Sequence, residues 1–217
     1  FNLTAQQSEI LYLFGKGIDD TVEWNFYCTD GRKSGEWSTI PVPSNWELHG
    51  FGEYNYGHDK DKADEQGLYK YRFNVPSSWK KKDVDIIFVG SMTDTEVKIN
   101  GKLAGPIHQG AFYQFKYNIS DKLNYGRENL LEVKVSKMSS NESVNQAERK
   151  ADYWIFGGIF RPVYLKASPR ENIVRVALDA KANGDFYMEV FTEGIKKADQ
   201  LTAFITDLDG NPSGSEF

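Results

Sequence analysis

The fold is decided by residues 95–103, which read Thr-Glu-Val-Lys-Ile-Asn-Gly-Lys-Leu. In the first five of them, β-branched residues alternate with charged ones, which is the period of a strand with one buried face. Asn100-Gly101 follows directly, and this dipeptide suits a two-residue hairpin turn because Asn and Gly accept positive φ most readily. Lys102 and Leu103 begin the returning strand. This stretch therefore predicts antiparallel β-structure.

Strand patterns also occur on both sides of this hairpin. Residues 68–75 alternate with period two up to Pro76, and residues 84–89 form an apolar run typical of a strand covered on both faces. No helical period lasts beyond two turns, and residues 6–14 are read as one irregular or helical turn. We therefore predict an all-β fold, an antiparallel jelly-roll β-sandwich over roughly residues 20–168. Its further strands are expected at 21–29, 112–117, 129–135 and 163–167.

The segments between these strands carry their own signals. Pro41 and Pro43 cannot donate to a sheet ladder, so the residues around them are expected at a sheet edge. Residues 51–66 hold many charges and little apolar periodicity, which is typical of a solvated loop. The alternative for these residues is a long loop that contacts a partner. Residues 136–149 are polar and hold no strand pattern.

Pro169 marks a predicted domain boundary. Beyond it, three short strands are predicted at 173–178, 185–192 and 200–207, which are too few to form two packed sheets. We therefore predict two domains, residues 1–168 and residues 169–217, the second being the first part of another sandwich. Because the chain opens without Met and stops just after a turn, we expect it to be a piece of a longer protein.

Composition narrows the range of partners. The formal net charge is −5, from 26 basic and 31 acidic residues, so no basic field attracts nucleic acid. No apolar run has the length of a transmembrane helix and the first residues do not form a signal peptide, so no membrane partner is expected. Cys28 is the only cysteine and can form no internal disulfide. For location we expect the periplasm or the extracellular space of a bacterium, and the cytoplasm stays open.

Few residues stand out as chemical groups. The three histidines are far apart in sequence and lack the close spacing of metal-ligand pairs, so no metal site is predicted from them. No phosphate-binding glycine loop and no Gly-x-Ser-x-Gly nucleophile motif is found. Carboxylates are plentiful, but glycoside hydrolysis needs two of them about 5–10 Å apart across one cleft, and the sequence nominates no such pair. The candidates considered are Asp94, Glu96, Glu142, Glu148 and Asp152.

Asp152 is the most unusual of these carboxylates because of its surroundings. It lies in residues 151–165, which read Ala-Asp-Tyr-Trp-Ile-Phe-Gly-Gly-Ile-Phe-Arg-Pro-Val-Tyr-Leu. A buried strand does not need an acid or two adjacent glycines, and a surface loop does not need so many aromatic rings. We therefore predict that Asp152 is a polar group placed beside an apolar wall.

Five segments of the chain, taken in order, carry a family resemblance. They are Ile-Pro-Val-Pro-Ser-Asn-Trp-Glu-Leu-His-Gly at 40–50, Gly-Leu-Tyr-Lys-Tyr-Arg-Phe at 67–73, Val-Lys-Ile-Asn-Gly at 97–101, His-Gln-Gly at 108–110 and Asp-Tyr-Trp-x-x-Gly-Gly-Ile-Phe-Arg at 152–161. With these segments, residues 20–168 resemble the N-terminal sugar-binding domain of glycoside hydrolase family 2, the β-galactosidase and β-glucuronidase group. The residues after 169 resemble the start of the immunoglobulin-like second domain of these enzymes.

The resemblance implies a galactose-binding-like jelly roll and a set of substrate-binding residues. In β-galactosidases of the family, the acid that matches Asp152 reaches hydroxyls of the bound sugar, in some with a sodium ion nearby. Asn55 would match a loop asparagine that helps there, Trp154 would join them, and Gly157-Gly158 would let the chain pass beneath Trp154. The loop around Asn55 departs from the family pattern, so the resemblance does not name the sugar.

The resemblance also implies what lies outside the chain. The family's nucleophile and acid/base are glutamates on a TIM barrel that comes third in its members, so no catalytic residue is expected in residues 1–217. No cofactor is expected here either, although a longer enzyme of the family would hold sodium or magnesium, with Asp152 as a candidate sodium ligand. The expected partners are the terminal sugar of a glycan and the remaining domains of the parent enzyme. A homo-oligomer is left open.

Three functions remain open from the sequence. The first is a non-catalytic piece of a retaining, β-galactosidase-like exo-glycosidase that contributes one wall of the substrate pocket. The second is an independent carbohydrate-binding module. The third is a structural interaction domain in which Asp152 caps a turn or pairs with Arg161. The resemblance favours the first.

Overall fold

The computed structural model describes residues 7–15, 20–196 and 202–212. The chain divides into two compact units, Phe1–Pro169 and Arg170–Phe217. This division falls one residue after the end of the first predicted domain. None of the helices in the described part of the chain has the length and hydropathy of a membrane span.

The first unit is built mainly from short strands. Its strands are β1 (Glu9–Tyr12), β2 (Val22–Cys28), β3 (Trp37–Val42), β4 (Asn55–Tyr56), β5 (Gln66–Asn74), β6 (Lys82–Phe88), β7 (Asp94–Ile99), β8 (Lys102–Leu103), β9 (Phe115–Asn118), β10 (Glu128–Ser136), β11 (Trp154–Ile155) and β12 (Val163–Pro169). Two 3₁₀ turns, Trp46–His49 and Ser77–Lys81, and one helix, α1 (Glu142–Glu148), lie between them.

Two antiparallel sheets form the body of the first unit. One has four strands in the order β1-β12-β6-β9, and the other has six in the order β3-β2-β5-β10-β7-β8. Buried side chains from both sheets form one hydrophobic core, among them Trp24 and Phe26 of β2 and Ile86 and Phe88 of β6. Burying a side chain of this size contributes roughly 1.5–3 kcal/mol, so this shared core joins the two sheets. The all-β sandwich prediction is confirmed.

The predicted hairpin is present where the sequence placed it. Asn100 and Gly101 have φ values of 52° and 78°, so both adopt the left-handed conformation that a tight two-residue turn requires. Beyond the turn, Ile99 pairs with Lys102 and Lys98 with Leu103. The edge prediction for the proline segment is also confirmed, because β3, which contains Pro41, is the outermost strand of the six-stranded sheet.

Three predictions about the elements of the first unit were wrong or incomplete. Residues 9–12 form β1 instead of an irregular or helical turn, because pairing with β12 supplies hydrogen bonds that the local sequence does not reveal. The polar segment 136–149 contains α1, whose first turn is capped by the Asn141 side chain accepting from the Ser143 N–H at 3.0 Å. The loop 51–66 contains β4, which pairs with β11 in a separate two-stranded ribbon.

The described residues of the second unit contain one antiparallel hairpin, formed by β13 (Asn172–Ala180) and β14 (Phe186–Glu193). The third predicted strand, at 200–207, was wrong for the residues that are described. Residues 202–205 form no strand, and Thr206 makes only an isolated bridge with Pro212. Residues 200 and 201 lie outside the described residues. That this unit begins an immunoglobulin-like sandwich stays a prediction.

Candidate functional site

The ribbon of β4 and β11 carries the candidate site. The two strands run antiparallel, with Trp154 opposite Tyr56 and Ile155 opposite Asn55. Side chains directly opposite each other point to the same face, and successive side chains point to opposite faces. Tyr56 and Trp154 therefore share one face, and Asn55 and Ile155 share the other. Trp154 is 54% exposed and Ile155 is fully buried, so the first face is open to solvent.

The Asp152 carboxylate is bound to the open face of the ribbon. Its Oδ1 accepts a hydrogen bond from the Tyr56 hydroxyl, and this bond raises the pKa of Tyr56 because deprotonation would place a phenolate beside the carboxylate. Asp152 is exposed, and its Oδ2 has no hydrogen-bond partner within the described part of the chain. Arg161 donates to the Phe112 carbonyl at 3.3 Å rather than to Asp152. One carboxylate oxygen is therefore available to a ligand.

Aromatic rings adjoin this carboxylate. The rings of Tyr54 and Tyr56 meet Trp154 edge-on, with centroid separations of 6.0 and 5.3 Å. The His58 ring meets Tyr56 in a similar arrangement at 6.1 Å. A sugar presents hydroxyls on its rim and C–H groups on its faces, so a carboxylate next to exposed rings offers both kinds of contact. The arrangement can therefore contact both the hydroxyls and the faces of a sugar ring.

Asn55 lies on the other face of the ribbon from Tyr56. Its Oδ1 accepts a hydrogen bond from the Ala63 N–H at 3.1 Å. The structure thus brings Asp152 and Trp154 together with Tyr56 rather than with the Asn55 side chain, and a substrate role for Asn55 stays a prediction. Sequence reasoning missed Tyr56 because a strand of two residues has no readable period.

Gly157 and Gly158 allow a close approach, but to a different segment from the expected one. An ideal Cβ on Gly157 would lie 2.0 Å from Cζ2 of Trp46, which is fully buried. A Cβ on Gly158, whose φ is +127°, would lie 2.5 Å from the Ser44 carbonyl oxygen. The expectation that these glycines lie beneath Trp154 was wrong. They seat the chain after β11 on the segment 44–46.

Asp94, another candidate carboxylate, is satisfied within the fold. It accepts hydrogen bonds from the Ser139 hydroxyl at 2.6 Å and from the Ser140 N–H at 2.8 Å. Burial disfavours the charged form of Asp94, but these hydrogen bonds outweigh it and lower the pKa of the carboxyl below its ordinary value. Its role is therefore to fix the loop that precedes α1.

The residues around Asp152 do not by themselves make a metal site. Among the described residues, no group of three or more His, Cys, Asp and Glu side chains could hold a metal ion. Asp152 offers one carboxylate oxygen, while the other accepts a hydrogen bond from the Tyr56 hydroxyl. A sodium ion would need most of its oxygen ligands from elsewhere. The role of Asp152 as a sodium ligand therefore stays a prediction about a longer enzyme.

The sequence of the first unit matches a known family. Residues 19–169 match the model of the glycosyl hydrolases family 2, sugar binding domain. The chain belongs to this family. The match includes both strands of the ribbon and Asp152, and it ends at Pro169 with the first unit.

Curated relatives of this family 2 chain include β-galactosidases. The β-galactosidase of Priestia megaterium is 29% identical over 185 residues, which cover 76% of this chain and 17% of the relative. The β-galactosidase of Thermoanaerobacter pseudethanolicus is 35% identical over 99 residues, which cover 45% of this chain and 13% of the relative. The chain therefore spans less than a fifth of the length of these relatives.

Solved structures of family enzymes share the fold. A β-glucuronidase from Ruminococcus gnavus in complex with uronic isofagomine superposes with a TM-score of 0.75 at 19% identity, covering 100% of this chain and 38% of that one. The β-D-glucuronidase of Dictyoglomus thermophilum gives a TM-score of 0.66 at 18% identity, covering 98% and 37%. At these identities the likeness concerns the fold alone.

Proposed function

We propose that this family 2 chain contributes one wall of the substrate pocket of a β-galactosidase-like, retaining exo-glycosidase. The observation that carries the proposal is the exposed Asp152 carboxylate, bound by Tyr56 beside the half-exposed ring of Trp154. The similarity to β-galactosidases supports it. The chain's own residues orient the sugar, and the two carboxylates of a retaining mechanism would come from outside residues 1–217.

The proposed binding chemistry follows from the Asp152 carboxylate. A sugar hydroxyl that donates to Oδ2 makes a charge-assisted hydrogen bond, which is about twice as strong as a neutral one. Tyr56 fixes the direction of the carboxylate, and the Trp154 ring covers an apolar face of the sugar. A sugar without the matching hydroxyl would leave the carboxylate desolvated and unpaired, so the site would discriminate by the position of that hydroxyl.

We expect Asp152→Asn to lower kcat/KM of the longer enzyme roughly 10- to 100-fold, the worth of one hydrogen bond to a charged group. Steady-state kinetics with aryl β-galactosides and aryl β-glucuronides measure this. Asp121→Asn is the matched control, because Asp121 is also an exposed aspartate with a local partner, Lys122, but lies on another loop. An unchanged kcat/KM for Asp152→Asn would remove Asp152 from the pocket.

An independent carbohydrate-binding module is the second candidate, and the exposure of Trp154 favours it. For a site with only one wall we expect no measurable heat when methyl β-galactoside, methyl β-glucuronide or cello-oligosaccharides are titrated into the isolated chain. Association must first offset several kcal/mol of lost freedom, and one wall buries too little of a sugar to do so. Binding with a Kd below about 1 mM that Trp154→Ala abolishes would establish the module instead.

A further inference from the structure

Four charged side chains are buried next to one end of the ribbon of β4 and β11. This end, where Glu53 precedes β4 and Gly157 follows β11, is called the root of the ribbon. The four side chains are Glu47, Glu65, Lys137 and Arg149, and each is at most 1% exposed. We call them the root cluster. Its two carboxylates and two cations balance in charge, and it plays no part in the hydrophobic core. Buried charges are strongly unfavourable unless they are paired, so their presence at this place requires an account.

Lys137 connects the two carboxylates of the root cluster. Its Nζ lies 2.9 Å from Oε1 of Glu47 and 3.0 Å from Oε1 of Glu65, and all three side chains are fully buried. Such a group is sensitive to the loss of any member, because the remaining charges would then be buried without a partner of opposite sign. The three side chains therefore act as one unit.

Glu47, Glu65 and Lys137 also bind backbone groups at the root, two residues outside each strand of the ribbon. The Gly157 N–H donates to both carboxylate oxygens of Glu47 at 3.0 Å. The Glu53 N–H donates to Oε1 of Glu65 at 3.0 Å, and the Glu53 carbonyl accepts from Lys137. Continuing the register of the ribbon by two residues places Glu53 opposite Gly157. The root cluster thus bridges a facing pair of residues at the root.

Arg149 adds a contact one residue nearer to the strands. Its Nη1 donates to the Phe156 carbonyl at 3.0 Å, while its Nε and Nη2 atoms have no partner within the described residues. Burial lowers the pKa of Arg149 to about 10, so the guanidinium is still a cation at neutral pH, and the nearby Glu148 and Glu47 carboxylates oppose that shift. The second cation therefore contacts the residue directly after β11, the strand that contains Trp154.

We propose that the root cluster is a positioning device for the Asp152 site. It fixes the two strands at their root, and the Gly57 N–H bond to the Tyr153 carbonyl, 2.8 Å long, closes the tip. The spacing of the two strands determines whether the Tyr56 hydroxyl meets the carboxylate of Asp152, which lies one residue beyond Tyr153 at the tip. The link to sugar binding rests on the proposed function, whereas the positioning itself can be measured without a sugar.

Hydrogen exchange of the Gly57 amide, followed by NMR at pH 7 in the whole 217-residue chain, tests this proposal. In Lys137→Met we expect the exchange rate of the Gly57 amide to rise tenfold or more. The matched control is Asn129→Ala. Asn129 is 1% exposed and accepts from the Asn100 side chain at 2.8 Å, in a partly buried network that does not touch the ribbon within the described part of the chain.

Asn129→Ala should lower the unfolding temperature but leave exchange at Gly57 unchanged. The proposal is overturned if Gly57 exchange in Lys137→Met stays within twofold, or if Asn129→Ala raises it equally. Should Lys137→Met fail to fold, Glu65→Gln takes its place in the test, because it keeps the size of the side chain and an acceptor for the Glu53 N–H. The exchange rate of the Gly57 amide must then also rise in Glu65→Gln.

Whether the root cluster affects sugar binding is tested separately, by kcat/KM of the longer enzyme. Faster Gly57 exchange in Lys137→Met together with unchanged kcat/KM in the longer enzyme would support the positioning role and contradict the pocket role of Asp152. Faster Gly57 exchange in Lys137→Met together with a lower kcat/KM would support both roles, provided that Glu65→Gln lowers kcat/KM less than Lys137→Met does.

Discussion

Lys137→Met is expected to lower the free energy of unfolding of the chain by about 3–5 kcal/mol, because it leaves the carboxylates of Glu47 and Glu65 buried without their cation. Small domains have only about 5–15 kcal/mol in total, so this is a large fraction. Urea unfolding followed by tryptophan fluorescence measures it. Lys98→Met is the control, since the Lys98–Glu96 pair is partly exposed and such pairs contribute about 0–1 kcal/mol.

The deficit of Lys137→Met should also depend on pH, with a definite sign. Burial raises the pKa of Glu47 above its ordinary value of 4.5, and Lys137 opposes this rise, so removing Lys137 raises the pKa further. A carboxyl whose pKa is higher in the folded state binds its proton more readily when folded, and stability is therefore regained as pH falls toward the ordinary value. The deficit should be larger at pH 8 than at pH 5. A deficit that is independent of pH would contradict the assignment to unpaired carboxylates.

Gly157→Ala is expected to destabilise the chain by about 3 kcal/mol, at the upper end of the usual range for overpacking. The new methyl group would lie 2.0 Å from the Trp46 ring, which is fully buried and stacks on Phe26 at 6.1 Å, so the ring has no free space to enter. Unfolding in urea measures the loss. Gly101→Ala is a suitable comparison, because it meets no atom within 4 Å and adds only the strain of a positive φ, roughly 1–2 kcal/mol.

A double-mutant cycle identifies the contact behind this loss. Trp46→Phe removes the outer part of the indole ring that the Gly157 methyl group would meet. Gly157→Ala should therefore destabilise the Trp46→Phe chain by at least 1 kcal/mol less than it destabilises the unmodified chain, an interaction of the size seen for residues in contact. Additive effects would show that the overlap with Trp46 is not the cause.

Local patterns were sufficient for most of the sandwich. The hairpin at Asn100-Gly101 and the long strands β5 and β10 follow from the two-residue period and from turn chemistry, both of which act between neighbours in sequence. The edge position of β3 follows from a property of proline itself. By contrast, β1 was missed because its hydrogen bonds come from β12, more than 150 residues later.

The candidate site was predictable only in part. Asp152 and Trp154 stand out as an acid and an aromatic ring in the segment 152–161. This segment is the last of five that resemble the family in the same order. Tyr56 does not stand out, because its hydrogen bond to Asp152 joins residues 96 positions apart. The same is true of the root cluster, in which Lys137 meets Glu65 across 72 positions. In the sequence the four members of the root cluster are ordinary charges with no feature that sets them apart.

The all-β class, the hairpin register, the family and the choice of Asp152 as a candidate could be read from the chain alone, because each depends on short-range periodicity, turn residues or a motif. The open face of the ribbon, the tyrosine that binds Asp152 and the set of buried charges became visible in the folded structure. This is because burial and long-range pairing determine how much a residue contributes to stability. Lys137 and Lys98 have the same side chain, yet that of Lys137 is fully buried between two carboxylates and that of Lys98 is partly exposed.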